Sequence, residues 1–91
     1  MNSRQLQIRY EGDVQGVGFR YTVCRIVDGI GGIMGVVKNC PDGSVQLVAE
    51  ASENQLKQLR LQIQTSRLGA YITDEQVAWG DAEGLSGFTY Q

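Results

Sequence analysis

The residues best suited to chemistry lie in one stretch near the start of the sequence, residues 12–20, which read Gly-Asp-Val-Gln-Gly-Val-Gly-Phe-Arg. Gly16 and Gly18 allow positive φ angles, so several consecutive N–H groups can point towards one anion. A helical pattern follows the stretch, and the dipole at a helix N-terminus also favours negative charge. Arg20 contributes a forked, permanently charged guanidinium that suits phosphate oxygens. The stretch therefore predicts a phosphate-binding loop.

Histidine is absent from the sequence, and the two cysteines are Cys24 and Cys40. The lack of histidine excludes histidine general bases, phosphohistidine chemistry, Ser-His-Asp triads and ordinary zinc sites, and two cysteines are too few for a zinc site made of cysteine alone. We therefore expect neither a metal nor a cofactor. No signal-peptide pattern opens the sequence, so we expect a cytoplasmic protein with both thiols reduced. We expect Cys24 to be a small buried side chain and Cys40 an exposed turn residue, neither with a redox role.

The 91 residues are predicted to form a single domain, residues 1–91, with one modest core. The formal net charge of −2 provides no global positive field, so we expect no nucleic-acid partner. No apolar run approaches the roughly 18 residues needed to span a bilayer, so we expect no membrane partner either. We expect a monomer that binds its anion through local groups rather than through a basic surface.

Hydrophobic periodicity divides the sequence into strands and helices. The predicted elements are, in order, a strand at 5–13, a helix at 19–30, strands at 33–38 and 44–51 joined by a turn at 39–43, a helix at 52–66, a strand at 70–79 and a short strand containing Phe88 and Tyr90. The second helix opens with a capping box formed by Ser52 and Gln55. This order predicts an α+β fold, a β-α-β-β-α-β sandwich in which two helices cover one face of an antiparallel sheet, with a short extra C-terminal strand.

The element order also leads to structural expectations for individual side chains. We expect Trp79 and the four tyrosines to lie in the core or at its rim. We expect Lys57, Arg60 and Arg67 on a solvated helix face. We also expect the first two strands to be neighbours in the sheet, so that the glycine loop lies beside Asn39 at the end of the second strand. Judged alone, Asn39 is typical of a turn residue.

Two motifs, in this order on a chain of this length, resemble the signatures of the acylphosphatase family. One is the stretch 12–20, and the other is residues 35–45, Gly-Val-Val-Lys-Asn-Cys-Pro-Asp-Gly-Ser-Val, of the form G-x-V-x-N-x-x-D-G-x-V. The resemblance is sharp over residues 8–50 and only architectural from 51 to 91. It implies a small ferredoxin-like enzyme that hydrolyses acyl phosphates to a carboxylate and inorganic phosphate without a metal.

The resemblance also implies roles for individual residues. The family's phosphate-binding arginine falls on Arg20 and its water-orienting asparagine on Asn39. The amides that cradle the phosphate fall on Gln15, Gly16, Val17, Gly18, Phe19 and Arg20. Two positions depart from the family pattern, because Gly32 adds a residue before the second strand and Val27 stands where alanine is usual. Both lie between the two functional residues, and we expect the site geometry to be retained.

Three other functions stay open on the sequence alone. The same fold can serve as a non-catalytic phosphate- or anion-binding regulatory module, which would bind phosphate without consuming acyl phosphate. It can serve as a ferredoxin-like RNA-binding domain, although residues 33–38 and 45–49 carry none of the stacking aromatic residues that such domains place on central strands. It can also be a detached domain of a larger carbamoyl-transfer protein, since acylphosphatase-like domains occur in such assemblies.

Overall fold

The computed structural model describes residues 2–91. Its elements are β1 (Arg4–Gly12), α1 (Phe19–Ile30), β2 (Met34–Asn39), β3 (Val45–Ala51), α2 (Glu53–Thr65), a 3₁₀ helix (Arg67–Tyr71), β4 (Ile72–Asp81) and β5 (Phe88–Tyr90). The predicted order of elements is confirmed. The fourth strand begins at Ile72 rather than at 70, because the 3₁₀ helix occupies the preceding residues and is capped by Ser66, whose Oγ accepts from the N–H of Leu68 at 3.1 Å. Within residues 2–91, no helix is both long enough and apolar enough to cross a membrane.

The five strands form one sheet in the order β4-β1-β3-β2-β5. The β1–β3, β1–β4 and β2–β3 pairs are antiparallel, as expected, whereas the short β5 runs parallel to β2 and makes the sheet mixed. The expectation that β1 and β2 are neighbours is wrong, because β3 lies between them. A helix is about 10 Å wide, which is about twice the 4.8 Å between neighbouring strands. The connection through α1 therefore places β2 two strand spacings from β1. The β2–β3 hairpin then fills the gap.

The core lies between the two helices and one face of the sheet. α1 and α2 each bury one apolar stripe against the inward-facing strand residues. These helix residues are Phe19, Val23, Val27, Leu56, Leu59 and Ile63, and the strand residues include Leu6, Ile8, Tyr10, Val37, Val45, Leu47 and Ala49. Val27 is 4% exposed, so the core accommodates the larger side chain at this position.

The tyrosines do not all behave as expected. Tyr10 is fully buried, and its ring centroid lies 5.1 Å from that of Phe19. Burial raises the pKa of Tyr10, and the neighbouring carboxylate of Glu75 raises it further, so the phenol stays protonated. The expectation is wrong for Tyr21 and Tyr90, because each is 65% exposed at the surface.

The three cations expected on a solvated helix face also differ from one another. Arg60 donates from Nε and Nη2 to Oε1 of Glu75, at 3.0 and 2.7 Å, and so ties α2 to β4. The side chain of Arg60 is 39% exposed, so it is partly solvated as expected but held by this ion pair. Lys57 and Arg67 are both exposed, but Arg67 lies in the 3₁₀ helix rather than in α2 and donates from Nη2 to Oγ1 of Thr22 at 3.0 Å.

Candidate functional site

A cavity of about 230 Å³ opens where the β1–α1 loop, the start of α1, the end of β2 and β5 meet. Its lining residues are Val14, Gly16, Gly18, Phe19, Arg20, Tyr21, Cys24, Asn39 and Tyr90. Because β1 and β2 are both antiparallel to β3, their carboxyl ends meet at one end of the sheet. This parallel arrangement brings the glycine loop and Asn39 together even though β1 and β2 are not neighbours.

The loop before α1 offers backbone donors to the cavity. Gly16 and Gly18 have φ angles of +79° and +74°. Residues with a side chain rarely adopt such angles, because the Cβ atom would come too close to the backbone. Gly18 is the N-cap of α1 and supplies no side-chain cap, and none of the turn and loop hydrogen bonds within residues 2–91 uses the N–H of residues 15–20 as its donor. At the other side of the loop, the fully buried Val14 and the bond from the N–H of Asp13 to the carbonyl of Tyr71, at 3.0 Å, hold the chain in place. The donors are therefore fixed before any ligand arrives.

Arg20 brings a positive charge to the same place. It stands in the first turn of α1, a turn that contains no acidic residue, and its side chain lines the cavity. Its guanidinium lies 5.7 Å from the ring centroid of Tyr90, and it forms no ion pair within the part of the chain that the structure describes. A cation opposes the helix dipole at this position, so the arrangement favours an anion beside it.

Asn39 ends β2 on the face of the sheet that carries the helices. Its N–H donates to the carbonyl of Gln91 at 3.1 Å, and the residue lines the same cavity as Gly16, Gly18 and Arg20. A carboxamide has both an acceptor oxygen and an NH₂ donor, so it can hold a water and a phosphoryl oxygen at once.

The turn that follows Asn39 is held by its own hydrogen bonds. Oδ1 of Asp42 accepts from the N–H and Oγ of Ser44, at 3.0 and 2.6 Å. The N–H of Cys40 donates to the carbonyl of Ser44 at 2.9 Å, and the N–H of Gly43 donates to the carbonyl of Cys40 at 3.1 Å. The side chain of Gln15 joins this turn to the glycine loop, donating from Nε2 to the carbonyls of Cys40 and Ser44 at 2.8 and 2.9 Å. The predicted turn at 39–43 is confirmed, and Asp42 and Gly43 help to form it.

The structure brings together most of the residues that the sequence singled out. Gly16, Gly18, Phe19, Arg20 and Asn39 line one cavity. The side chains of Gln15 and Val17 do not line it, since Gln15 reaches the β2–β3 turn and Val17 packs against the core. Any contact from these two residues to a ligand would therefore come from their backbone N–H groups.

Two aromatic residues of the cavity were missed by sequence reasoning. Tyr21 follows Arg20 and lies off the apolar stripe of α1, which is a local sign of an exposed position. Tyr90 reaches the cavity only because β5 pairs with β2, and no local pattern encodes that pairing.

The two cysteines are free thiols, and both are half-buried. Cys24 lines the cavity instead of being fully buried as expected, and Cys40 is less exposed than expected. Burial raises the pKa of Cys24, and Asp28 raises it further, so this thiol stays protonated near neutral pH. No three His, Cys, Asp or Glu side chains among residues 2–91 are grouped closely enough to hold a metal ion.

Comparisons with known proteins agree with this geometry. The family profile described as acylphosphatase matches residues 6–90. An acylphosphatase from Thermotoga maritima is 40% identical over 86 residues, which cover 94% of each chain. The crystal structure of acylphosphatase from Bacillus subtilis superimposes with a TM-score of 0.88 at 35% identity, covering 97% of this chain and 98% of that one. The structure of an acylphosphatase from Coxiella burnetii gives a TM-score of 0.86 at 26% identity, covering 99% and 94% of the two chains. With matches over nearly its whole length in both sequence and structure, the chain belongs to the acylphosphatase family.

Proposed function

We propose that this protein hydrolyses acyl phosphates to a carboxylate and inorganic phosphate, by in-line attack of water and without a metal, in the cavity between the glycine loop and Asn39. The observation that carries the proposal is the combination in one cavity of an asparagine with loop N–H groups and an arginine that have no hydrogen-bond or ion-pair partner among residues 2–91. The family to which the chain belongs supports the same reaction.

Arg20 and the backbone N–H groups of residues 15–20 bind the phosphoryl group in this proposal. The guanidinium donates in a fork to two phosphoryl oxygens, and the N–H groups at the start of α1 donate to the remaining charge. These donors are fixed by Gly16, Gly18 and the anchored loop, so they need not reorient as charge develops on the equatorial oxygens. Positioning and charge stabilisation are the main demands of phosphoryl transfer, and this set supplies both without a metal ion.

Asn39 orients the attacking water. Its carboxamide oxygen accepts a hydrogen bond from the water, and its NH₂ group donates to a phosphoryl oxygen. The water oxygen forms a new bond to phosphorus while the bond from phosphorus to the acyl oxygen breaks, and the carboxylate leaves with that electron pair. Because a carboxylate is a good leaving group and asparagine is not a base, the proton passes to the phosphoryl group or to solvent.

We extend the proposal to the setting in which the protein works. The cavity of about 230 Å³ suits a small molecule, and we propose a monomer that acts on a small acyl phosphate. The two free thiols suit a reducing compartment, which supports the cytoplasm. The net charge of −2 supports the absence of a nucleic-acid partner. We also propose that the protein has no membrane partner.

The deciding experiment is a benzoyl phosphate hydrolysis assay with EDTA present, comparing the wild-type protein with Arg20→Ala. We expect turnover by the wild type and its loss in the variant. Lys57→Ala is the matched control, because it removes one positive charge from an exposed site outside the cavity. Activity abolished by EDTA would overturn the metal-free reaction, and full activity in Arg20→Ala would overturn the site. Phosphate binding without any consumption of benzoyl phosphate would identify the non-catalytic module instead.

A further inference from the structure

The connection between β4 and β5 is only slightly longer than the distance that it must span. These strands lie at opposite edges of the sheet, four strand spacings or about 19 Å apart. The seven steps from Asp81 to Phe88 can reach at most about 23–25 Å. Residues 82–87 must therefore cross the sheet almost directly.

Glu50 on the central strand β3 receives this crossing segment. By register it lies opposite Gln5 and Met34, on the face of the sheet that carries no helix. Its carboxylate accepts from three consecutive N–H groups, those of Glu83 at 2.7 Å, Gly84 at 3.0 Å and Leu85 at 2.9 Å. It also accepts from Nε2 of Gln5 at 2.8 Å, and with these four donors around it the residue is 4% exposed.

The ionised form of Glu50 fits these donors. Burial alone would raise the pKa of the Glu50 carboxyl, but the backbone N–H groups and the Gln5 amide outweigh that effect and lower it. Consecutive N–H groups that converge on an anion form a concave site, and here the anion is part of the chain itself.

The far end of the connection reaches both candidate residues of the cavity. After the segment, the carbonyl of Gly87 accepts from the N–H of Gly35 at 2.8 Å and starts the pairing of β5 with β2. Tyr90 then lies under the guanidinium of Arg20, and the carbonyl of Gln91 accepts from the N–H of Asn39. β5 is only three residues long, so its own pairing holds it weakly.

We propose that Glu50 is a positioning residue for the hydrolysis: it fixes residues 83–85 on the open face of the sheet and thereby holds β5 against Arg20 and Asn39 on the opposite side. The inference rests on the proposed function, since it assigns Glu50 a part in the same site. The remaining strand pairs do not depend on the connection, so loss of the carboxylate releases residues 82–91 while β1, β2 and β3 stay paired.

The test compares Glu50→Gln with a matched control, Glu75→Gln. Both substitutions remove the charge of a hydrogen-bonded carboxylate, but the side chain of Glu75 is 13% exposed and is paired with Arg60, and Glu75 lies on the far strand β4, away from β5. In Glu50→Gln we expect hydrogen-exchange protection to fall at residues 83–91 and at the N–H groups of Gly35 and Asn39, which donate to this segment, but not in the rest of the sheet. We also expect at least a tenfold loss of kcat/KM for benzoyl phosphate and weaker inhibition by inorganic phosphate. In Glu75→Gln we expect a lower melting temperature with wild-type kinetics.

A double-mutant cycle separates positioning from general stability. If Glu50 acts through β5, then Glu50→Gln costs less in kcat/KM in a Tyr90→Ala background than in the wild type. A milder variant, Gln5→Ala, removes one of the four donors and should give the same selective pattern in smaller degree, so the test stands even where Glu50→Gln does not fold.

Wild-type kinetics in a folded Glu50→Gln protein, or loss of exchange protection across the whole sheet, would overturn the proposal. So would additive effects in the double-mutant cycle. Failure of the wild type to hydrolyse acyl phosphate would instead overturn the proposed function. The exchange and phosphate-binding measurements would still report on Glu50 in that case.

Discussion

Two glycine turns lie at the same end of the sheet and use hydrogen bonds in opposite ways. The β2–β3 turn, residues 40–44, closes on itself through Asp42, Ser44 and its own backbone. The β1–α1 loop, residues 12–18, leaves a run of N–H groups without a partner in the described chain, and Arg20, which follows it, forms no ion pair there either. Both turns contain aspartate and glycine, so composition alone does not separate them.

The difference between the turns shows which one is built for a ligand. Backbone donors that lack partners reduce stability unless water or a ligand satisfies them. The β1–α1 loop keeps such donors at a helix N-terminus, where they suit an anion. In the β2–β3 turn, three of the four backbone N–H groups, those of Cys40, Gly43 and Ser44, have partners within the turn, which acts as a rigid support for Asn39. If this division is correct, substitutions in the loop alter chemistry and those in the turn alter mainly stability.

The largest expected effect comes from Arg20→Lys. An ammonium group cannot reproduce the planar, two-point contact with phosphoryl oxygens, so we expect kcat/KM for benzoyl phosphate to fall by about 10²–10³-fold, nearly as far as in Arg20→Ala. Thermal melting should stay close to wild type, because Arg20 takes part in no ion pair among residues 2–91. Substantial activity in the lysine variant would show that charge alone is sufficient at this position.

A second large effect is expected from Asn39→Ala, which removes the group that orients water while leaving the phosphate donors in place. We expect kcat to fall about 10²-fold and the inhibition constant for inorganic phosphate to change little. Asn54→Ala, at an exposed position of α2, is the control and should keep wild-type kinetics. A wild-type kcat in Asn39→Ala would refute water positioning by this residue, whereas weakened phosphate binding would assign it to the anion site.

Periodicity and turn chemistry predicted the elements and the glycine loop that ends in Arg20, whereas the place of Asn39 in the site followed from the resemblance to the acylphosphatase family. The alternation in β1, the stripe of α1 and the capping box of Ser52 and Gln55 are local signals, and local physics is enough to determine them. Arg20 lies at the start of α1 and Asn39 at the end of β2, so both could be expected at the same end of the sheet. Their actual proximity depends on parallel β1 and β2, not on the neighbouring strands that the sequence suggested.

What could not be predicted depends on distant pairing. Tyr90 enters the cavity through the parallel contact of β5 with β2, more than fifty positions apart in the chain. Glu50 occupies an ordinary polar position in an alternating strand, and only the crossing of residues 82–87 buries it. Loop contacts of this kind have no periodic signature, so sequence patterns do not reveal them.

A matched pair of glycine substitutions tests the two turns directly. Gly16 and Gly43 have φ angles of +79° and +93°, and a Cβ at either position would meet nothing within 4 Å. Gly16→Ala and Gly43→Ala should therefore each cost about 1–2 kcal/mol in the free energy of unfolding, from backbone strain alone. We expect only Gly16→Ala to lower kcat/KM as well, by about tenfold, because its strain turns the N–H groups away from the phosphate. Urea denaturation and benzoyl phosphate kinetics measure the two quantities.

The outcome of that pair is informative in either direction. Equal losses of activity would mean that the β2–β3 turn also takes part in the chemistry, through the placement of Asn39. Wild-type activity in Gly16→Ala would mean that the loop N–H groups do not bind the phosphoryl group.

The smallest effect is expected at the side chain that links the two turns. Gln15→Ala keeps the backbone N–H of residue 15 but removes the bonds from Nε2 to the carbonyls of Cys40 and Ser44. Gln15 is exposed, so water can replace part of what is lost, and we expect kcat to fall about threefold, or ~0.7 kcal/mol, through a looser Asn39. Phosphate inhibition should not change, and Gln58→Ala on the exposed face of α2 should leave both quantities at wild-type values. If phosphate binding weakened while kcat held, Gln15 would support the loop rather than the turn, and the two regions would not be joined in the way that the hydrogen bonds indicate.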